Sequence, residues 1–252
     1  MSSIVTALIS AGCIFCGGTL GIWLKKRLPA SHLDEASKDT IKVGTGILAT
    51  LSALVLGLLI SSAKSSFDAA NSSIAQGSAK IILLDRTLAE YGLETLPART
   101  VLKSAVKFTA DRVWSKKNDK YAGTKGFELS DGMEKLQGMV HTLTPQTKAQ
   151  EQLLSTALQL TVEIAQTRWS LIEQESPLPP TLLVVLVLWL SILHVSMGLF
   201  APCNGTVLSV LLISSISLSS ALFLVLEMSR PLDGIVKVSD APVRKALEHL
   251  LQ

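Results

Sequence analysis

Charge is scarce in this chain. Only 17% of its 252 residues are Asp, Glu, Lys or Arg, against about 25% in an ordinary soluble protein. Aromatic residues make up 5%, and no basic patch with interleaved aromatics occurs, so nucleic acid is not expected as a partner. The net charge of +3 therefore carries no message about polyanions. The three cysteines, Cys13, Cys16 and Cys203, all lie in or beside apolar stretches. None falls in the polar middle of the chain, which excludes disulfide support there. Cys13 and Cys16 are three apart on one helical face, but no further ligand stands near them. They are read as small residues at a helix contact, and no metal is expected. The four histidines, His32, His141, His194 and His249, are scattered outside any nucleophile or zinc motif. There is no P-loop, no Gly-rich dinucleotide turn and no paired-carboxylate signature. Catalysis and a bound cofactor are not expected.

What the chain has is long apolar runs. Residues 4–24, 41–63, 181–201 and 206–228 hold almost no charge. Each is close to the roughly 20 residues that cross about 30 Å of hydrocarbon. Four transmembrane helices follow. The first run has no basic segment before it, and Lys25, Lys26 and Arg27 come after it. It reads as a retained span rather than a cleaved signal. Four spans put both termini and residues 64–180 on one side of the membrane. The short loops 25–40 and 202–205 lie on the other. Lys25, Lys26, Arg27 and Lys38 on one side are balanced by Lys64, Arg230, Lys237, Arg244 and Lys245 on the other. Charge bias therefore does not choose the orientation.

Residues 64–180 hold 14 of the 23 Lys and Arg and 13 of the 20 Asp and Glu. They read as a helical domain in water. Phe67, Ile74, Ile81 and Leu88 recur every seven residues, with Ala70, Gly77, Leu84 and Tyr91 three further on. This is a heptad seam, and Gly92 is a natural stop. The second span should thus run on without a break, on the order of 75 Å from residue 41 to 91 at 1.5 Å per residue. Thr144-Pro145 reads as the start of a returning helix to about residue 175, with Leu153, Ala157, Leu160, Ile164, Thr167 and Leu171 on one face. Shorter helices are expected at 97–114 and 130–143, separated by a loop at 115–126. Residues 229–252 are left as a C-terminal tail. The fold class is all-α: four transmembrane helices and an extramembrane helical stalk.

Polar or small residues inside the spans supply the candidate sites. Ala49, Ala53, Gly57 and Ser61 form a small-xxx-small row in the second span. The fourth span is rich in serine, and Ser220 lies two turns before Glu227 on one face. His194 is the one ionisable residue well inside a span, with Ser191 and Gly198 beside it, and its plainest role is a hydrogen bond to a neighbouring serine. In the stalk Asp85 and Arg86 stand in the densest polar cluster, read as a solvated edge with local ion pairs.

Four stretches carry a family resemblance: "LPASHLDEASKDTIKVGTGILATLSALVLGLLISSAKSSFD", "LLDRTLAEYG", "PPTLLVVLVLWLSILHVSMGLFAPCNGT" and "FLVLEMSRPLDGIVKVSDAP". Over nearly its whole length the chain resembles a bacterial family of four-span membrane proteins described as bestrophin-like. His194 departs from the apolar or aromatic residue expected there. The likeness extends distantly to the bestrophin anion channels, pentamers whose second span lines the pore with apolar side chains flanking a Val-Leu-Gly. Here Val55-Leu56-Gly57 lies between Leu54 and Leu58, which the resemblance implies are neck residues of a pore for small anions. The acidic calcium-binding run of animal bestrophins is absent, so calcium gating is not implied. The small-residue row and the heptad seam are expected to join copies into a homo-oligomer, and the resemblance implies the bacterial inner membrane. The alternative is a non-conducting sensor or scaffold whose stalk binds a partner.

Overall fold

The computed structural model describes residues 2–29, 32, 34–114, 132–174 and 179–251. Among these residues there are eight α-helices, a 3-10 turn at Leu93–Thr95 and no strand. The helices are α1 (Ser3–Arg27), α2 (Glu35–Tyr91), α3 (Leu96–Trp114), α4 (Gly132–His141), α5 (Lys148–Gln174), α6 (Pro180–Phe200), α7 (Gly205–Met228) and α8 (Ala241–Leu250). The chain divides into two compact units. One comprises Met1–Ser65 and Pro177–Ser229, the other Ser66–Ser176 and Arg230–Gln252. Four helices, α1, α2, α6 and α7, are long and apolar enough to cross a membrane.

In the first unit the helix ends are satisfied locally. Ser2 caps α1 through Oγ, which accepts from the Val5 amide at 3.4 Å. Asp34 Oδ1 accepts from the Ser37 amide at 2.8 Å ahead of α2. That contact holds the Asp34 carboxyl below its ordinary range. Pro179 and Pro180 begin α6, where a missing N–H costs nothing. Asn204 caps α7. At the end of α1, Lys25 Nζ donates to the Ala201 carbonyl at 3.1 Å, and the Arg27 guanidinium lies 5.2 Å from the centre of the Trp23 ring.

The centre of this unit is a contact between backbones. A Cβ placed on Gly17 would come 2.6 Å from the Ser191 carbonyl oxygen. One on Gly21 would overlap the Val195 carbonyl, and one on Gly198 would overlap the Gly18 carbonyl. Thus α1 and α6 touch with almost nothing between them, through Gly17-xxx-Gly21 on one helix and Gly198 on the other. Around this contact Ile14, Leu59, Leu186, Leu190, Leu222 and Val225 form the apolar core. Cys13 and Cys16 face outward from α1. The helix contact expected of them falls to the glycines instead, because side-chain-free positions permit closer approach than any thiol.

In the second unit most of the seam residues of α2 are buried, with Phe67 and Ile81 partly so. Ala70, Ile74, Leu84, Leu88 and Tyr91 are at most 4% exposed. Leu84 and Leu88 pack with Leu102 and Val106 of α3, Leu136 and Val140 of α4, and Ala157 and Leu160 of α5. Gly92 takes φ 142°, a value that L side chains rarely adopt. Thr95 then closes the helix end, its Oγ1 donating to the carbonyls of Leu88 and Gly92.

Two features differ from the sequence reading. The returning helix α5 starts at Lys148, not at Thr144-Pro145. Thr147 is its cap: Oγ1 accepts from the Gln150 amide at 3.2 Å, while Gln150 Oε1 accepts from the Gln146 amide at 2.9 Å. Thr147 thus caps the first turn and Gln150 reaches back to the residue before the cap, so the helix starts here rather than at the proline. Gln150 Nε2 also donates to the Tyr91 carbonyl at 3.1 Å. The second difference is the C-terminus. Residues 230–252 belong to the second unit, where Leu232 and Val238 are buried beside Ile74 and Leu171. The Trp114 indole N–H donates to the Val238 carbonyl at 2.9 Å, and α8 places Leu250 in the core. The expected loop 115–126 lies outside the described residues.

Replacing Gly198 with alanine should push α1 off α6, costing about 1–3 kcal/mol as overpacking does. The thermal melt of the detergent-solubilised protein checks this. Gly12→Ala, whose added methyl meets nothing within 4 Å, should leave the melt unchanged.

Candidate functional site

The second span is the least occupied of the four. Only 11% of its most apolar window is buried, against 33%, 28% and 22% for α1, α6 and α7. Its inner side is narrow: Ser52, Leu59 and Ala63 are buried. A helix advances 100° per residue, so Leu54 and Leu58 lie nearly opposite that side. They are 61% and 63% exposed, and Val43, Ile47 and Leu51 are exposed with them. Ala49, Ala53, Gly57 and Ser61 are exposed as well, and a Cβ on Gly57 would meet nothing within 4 Å. Both candidate sets on this helix therefore share one uncovered surface. Neither set is buried among the described residues.

His194 is 2% exposed. Its Nδ1 lies 2.9 Å from the Leu190 carbonyl and its Nε2 lies 3.0 Å from Ser214 Oγ. A carbonyl only accepts, so Nδ1 carries the proton. The Ser214 hydroxyl also lies 3.1 Å from the Leu211 carbonyl, so its one proton goes either to that carbonyl or to Nε2 of a neutral ring. The ring lies against Ser214 of α7. Ser191 donates to the Val187 carbonyl at 2.7 Å, and its backbone lies against Gly17.

Most of the serine hydroxyls of α7 are turned back onto carbonyls of their own helix. Ser209, Ser215, Ser217 and Ser220 donate to carbonyls three or four residues back. Ser219 instead reaches the Ala7 carbonyl of α1. Ser220 is exposed, whereas Glu227 is 3% exposed. The two share a helical face by spacing, but the structure does not bring them into one site.

In the second unit the polar cluster resolves into a designed pair and a solvated neighbour. Asp85 is 7% exposed. Both its oxygens accept from Arg99 of α3, Oδ1 from Nε at 2.7 Å and Oδ2 from a terminal nitrogen at 2.8 Å. That fork raises the Arg99 pKa above its ordinary value, first through the hydrogen bond to Asp85. Arg86 is exposed. Asp85 does not lie on the solvated edge expected of it, because the turn at Gly92 brings Arg99 of α3 against it. Arg99 carries no local signal, being 14 residues away. A second pair joins Lys80 to Glu163 at 3.2 Å. Gln159 first, then Lys80, hold the Glu163 carboxyl below its ordinary range. No group of three or more metal-ligating side chains occurs among the described residues.

With this geometry in view, the comparisons with known proteins are specific. The bestrophin-like domain model matches residues 12–243. The chain belongs to the bestrophin-like family. Among solved structures, its fold is similar to the crystal structure of a point mutant of a bacterial bestrophin homologue from Klebsiella pneumoniae, with TM-score 0.63 and 13% identity over 100% of both chains. No curated protein matches the sequence. The bestrophin-like chain is thus an all-α membrane protein.

Two outcomes test the polar ties. Ser214→Ala should remove the partner of His194 Nε2 and lower stability in detergent by about 0.6–1.7 kcal/mol, the scale of interhelical hydrogen bonds in membranes. A Ser217→Ala control should be silent. For Glu163 the depressed pKa contributes stability above the unfolded value of about 4.3 and loses it as pH falls through the folded value. The melting temperature should therefore drop in that acid window, and less steeply in Glu163→Gln.

Proposed function

We propose that this bestrophin-like protein is a homo-oligomeric pore for small anions in the bacterial inner membrane, with α2 lining the path. The observation that carries the reading is the uncovered face of α2. A helix of this kind needs neighbours, and lipid tails alone give it no reason to carry a small-residue row. Copies of the chain arranged around an axis would bring several α2 helices together. The row of Ala49, Ala53, Gly57 and Ser61 would set their close approach, and Leu54 and Leu58 would form the neck. An apolar constriction of that kind gates by wetting and dewetting rather than by a fixed charge. Membership of the bestrophin-like family and the fold likeness support the reading.

In this proposal both termini and the second unit lie on the same side of the membrane. His194 and Ser214 hold α6 to α7 and take no part in conduction. Asp85 serves the helical unit as a structural ion pair with Arg99.

Anion flux into liposomes containing the purified protein tests the proposal. Chloride flux should be measurable and should rise several-fold when Leu54 and Leu58 are both replaced by serine, since a polar neck stays wet. Mass in detergent should correspond to a ring of several copies. A monomer or dimer, or the absence of flux at high protein density, would replace the pore with the non-conducting sensor or scaffold.

A further inference from the structure

The second unit contains a half-enclosed cavity of about 90 Å³ that the pore reading does not use. Five helices wall it, with Ile74 and Ile81 from α2, Val106 from α3, Met133 from α4, Ile164 from α5 and Val243 from α8. None of these side chains carries a hydrogen-bond donor. An unfilled gap in a core lowers stability, because the atoms around it lack contacts on one side.

The polar groups of the lining are almost all engaged elsewhere. Ser78 donates to the Ile74 carbonyl at 2.8 Å, Thr109 to the Ala105 carbonyl at 2.9 Å and Thr167 to the Glu163 carbonyl at 2.8 Å. The Trp114 indole N–H donates to the Val238 carbonyl. Arg168 also borders the cavity, but its guanidinium lies 5.5 Å from the centre of the Trp169 ring. Trp169 is exposed and is not part of the lining. Ser73 is half-buried and keeps contact with water. The surface that faces the space is therefore almost wholly carbon. Apolar cavities of this kind stay dry and take up apolar guests. A charged group would lose its hydration there without gaining a partner.

We infer that this cavity is a binding site for a small uncharged apolar molecule, packed among Ile74, Ile81, Val106, Ile164 and Val243. Its volume sets the size of the guest. A water-sized group takes about 30 Å³, so there is room for roughly three such groups, a chain of about three or four carbons. Selectivity comes from that size and from the lack of any partner for a charge. The inference does not depend on whether the protein conducts.

The test uses NMR of the full-length protein in detergent, with isotopically labelled methionine methyl groups and butane as the probe. Met133 lines the cavity. Met197 lies exposed on α6 and reports butane taken up by the detergent. The Met133 signal should shift saturably with butane, while Met197 should drift in proportion to the amount added. Butylamine and butyrate, charged molecules of the same length, should leave Met133 unmoved. Ala105→Leu, which fills the cavity from α3, should abolish the Met133 response. Ser73→Leu narrows the space from α2 and gives a second reading should Ala105→Leu not fold. It should raise the butane needed for half-saturation roughly tenfold, as the loss of about two buried methylenes requires. A Met133 signal indifferent to butane, a shift that only follows Met197, an equal response to either charged molecule, or an undiminished response in the folded variants would each overturn the assignment.

Discussion

In hydrocarbon there is no water to take up a free N–H, and no hydrophobic force to bring one apolar helix against another. Everything in the first unit follows from that constraint. Its helices satisfy their own backbones, and they associate where backbones can come close. Gly17, Gly21 and Gly198 are the points at which α1 and α6 meet without side chains between them. The hydroxyls of α7 answer the same constraint by bonding to carbonyls within reach. His194 is admitted because both ring nitrogens have partners. The face of α2 left without such contacts is the exception, and so it is where assembly is sought.

The second unit is governed by the opposite solvent. Its helices are mixed in charge and are held by a common apolar seam, in which Leu84, Leu88, Leu102, Leu136 and Leu160 are buried together. Here polar ties act at the ends and edges. Gln150 links the start of α5 to the last carbonyl turn of α2. The Asp85–Arg99 fork fixes α3 beside α2. The C-terminal segment completes the packing through Leu232, Val238 and Leu250.

How far the sequence could be read depended on the range of the interaction. Periodicity is local, so the seam Phe67–Ile74–Ile81–Leu88 and its stop at Gly92 could be seen in the chain itself. The small-residue row of α2 was equally visible, yet it is not the row that packs within the chain. The Gly17-Gly18-x-x-Gly21 pattern was the overlooked signal for that contact. The pairing of Asp85 with Arg99 had no signal at all, and for His194 a serine was expected but nothing singled out Ser214. Each joins residues from different helices, and nothing in either local segment distinguishes the partner from its neighbours. The C-terminal helix was missed for a related reason. Its apolar residues, Val243, Ala246, Leu247 and Leu250, are few and become informative only against the core they complete.

By itself the sequence determined the medium of each segment and the helical state. Unbroken apolar runs can be stable only in lipid, and a seven-residue repeat can bury itself only as a helix. Resemblance along the chain determined the bestrophin-like family. The tertiary structure decided which of several chemically equivalent faces meet. Two glycine or small-residue rows, or two acidic side chains on one helix, look alike until a partner surface is supplied. That choice rests on distances between segments far apart in the chain, such as the 2.7 Å from Arg99 to Asp85 and the overlap between Gly198 and Gly18 that any side chain would create. Local composition cannot encode such distances, because they exist only once the helices have packed.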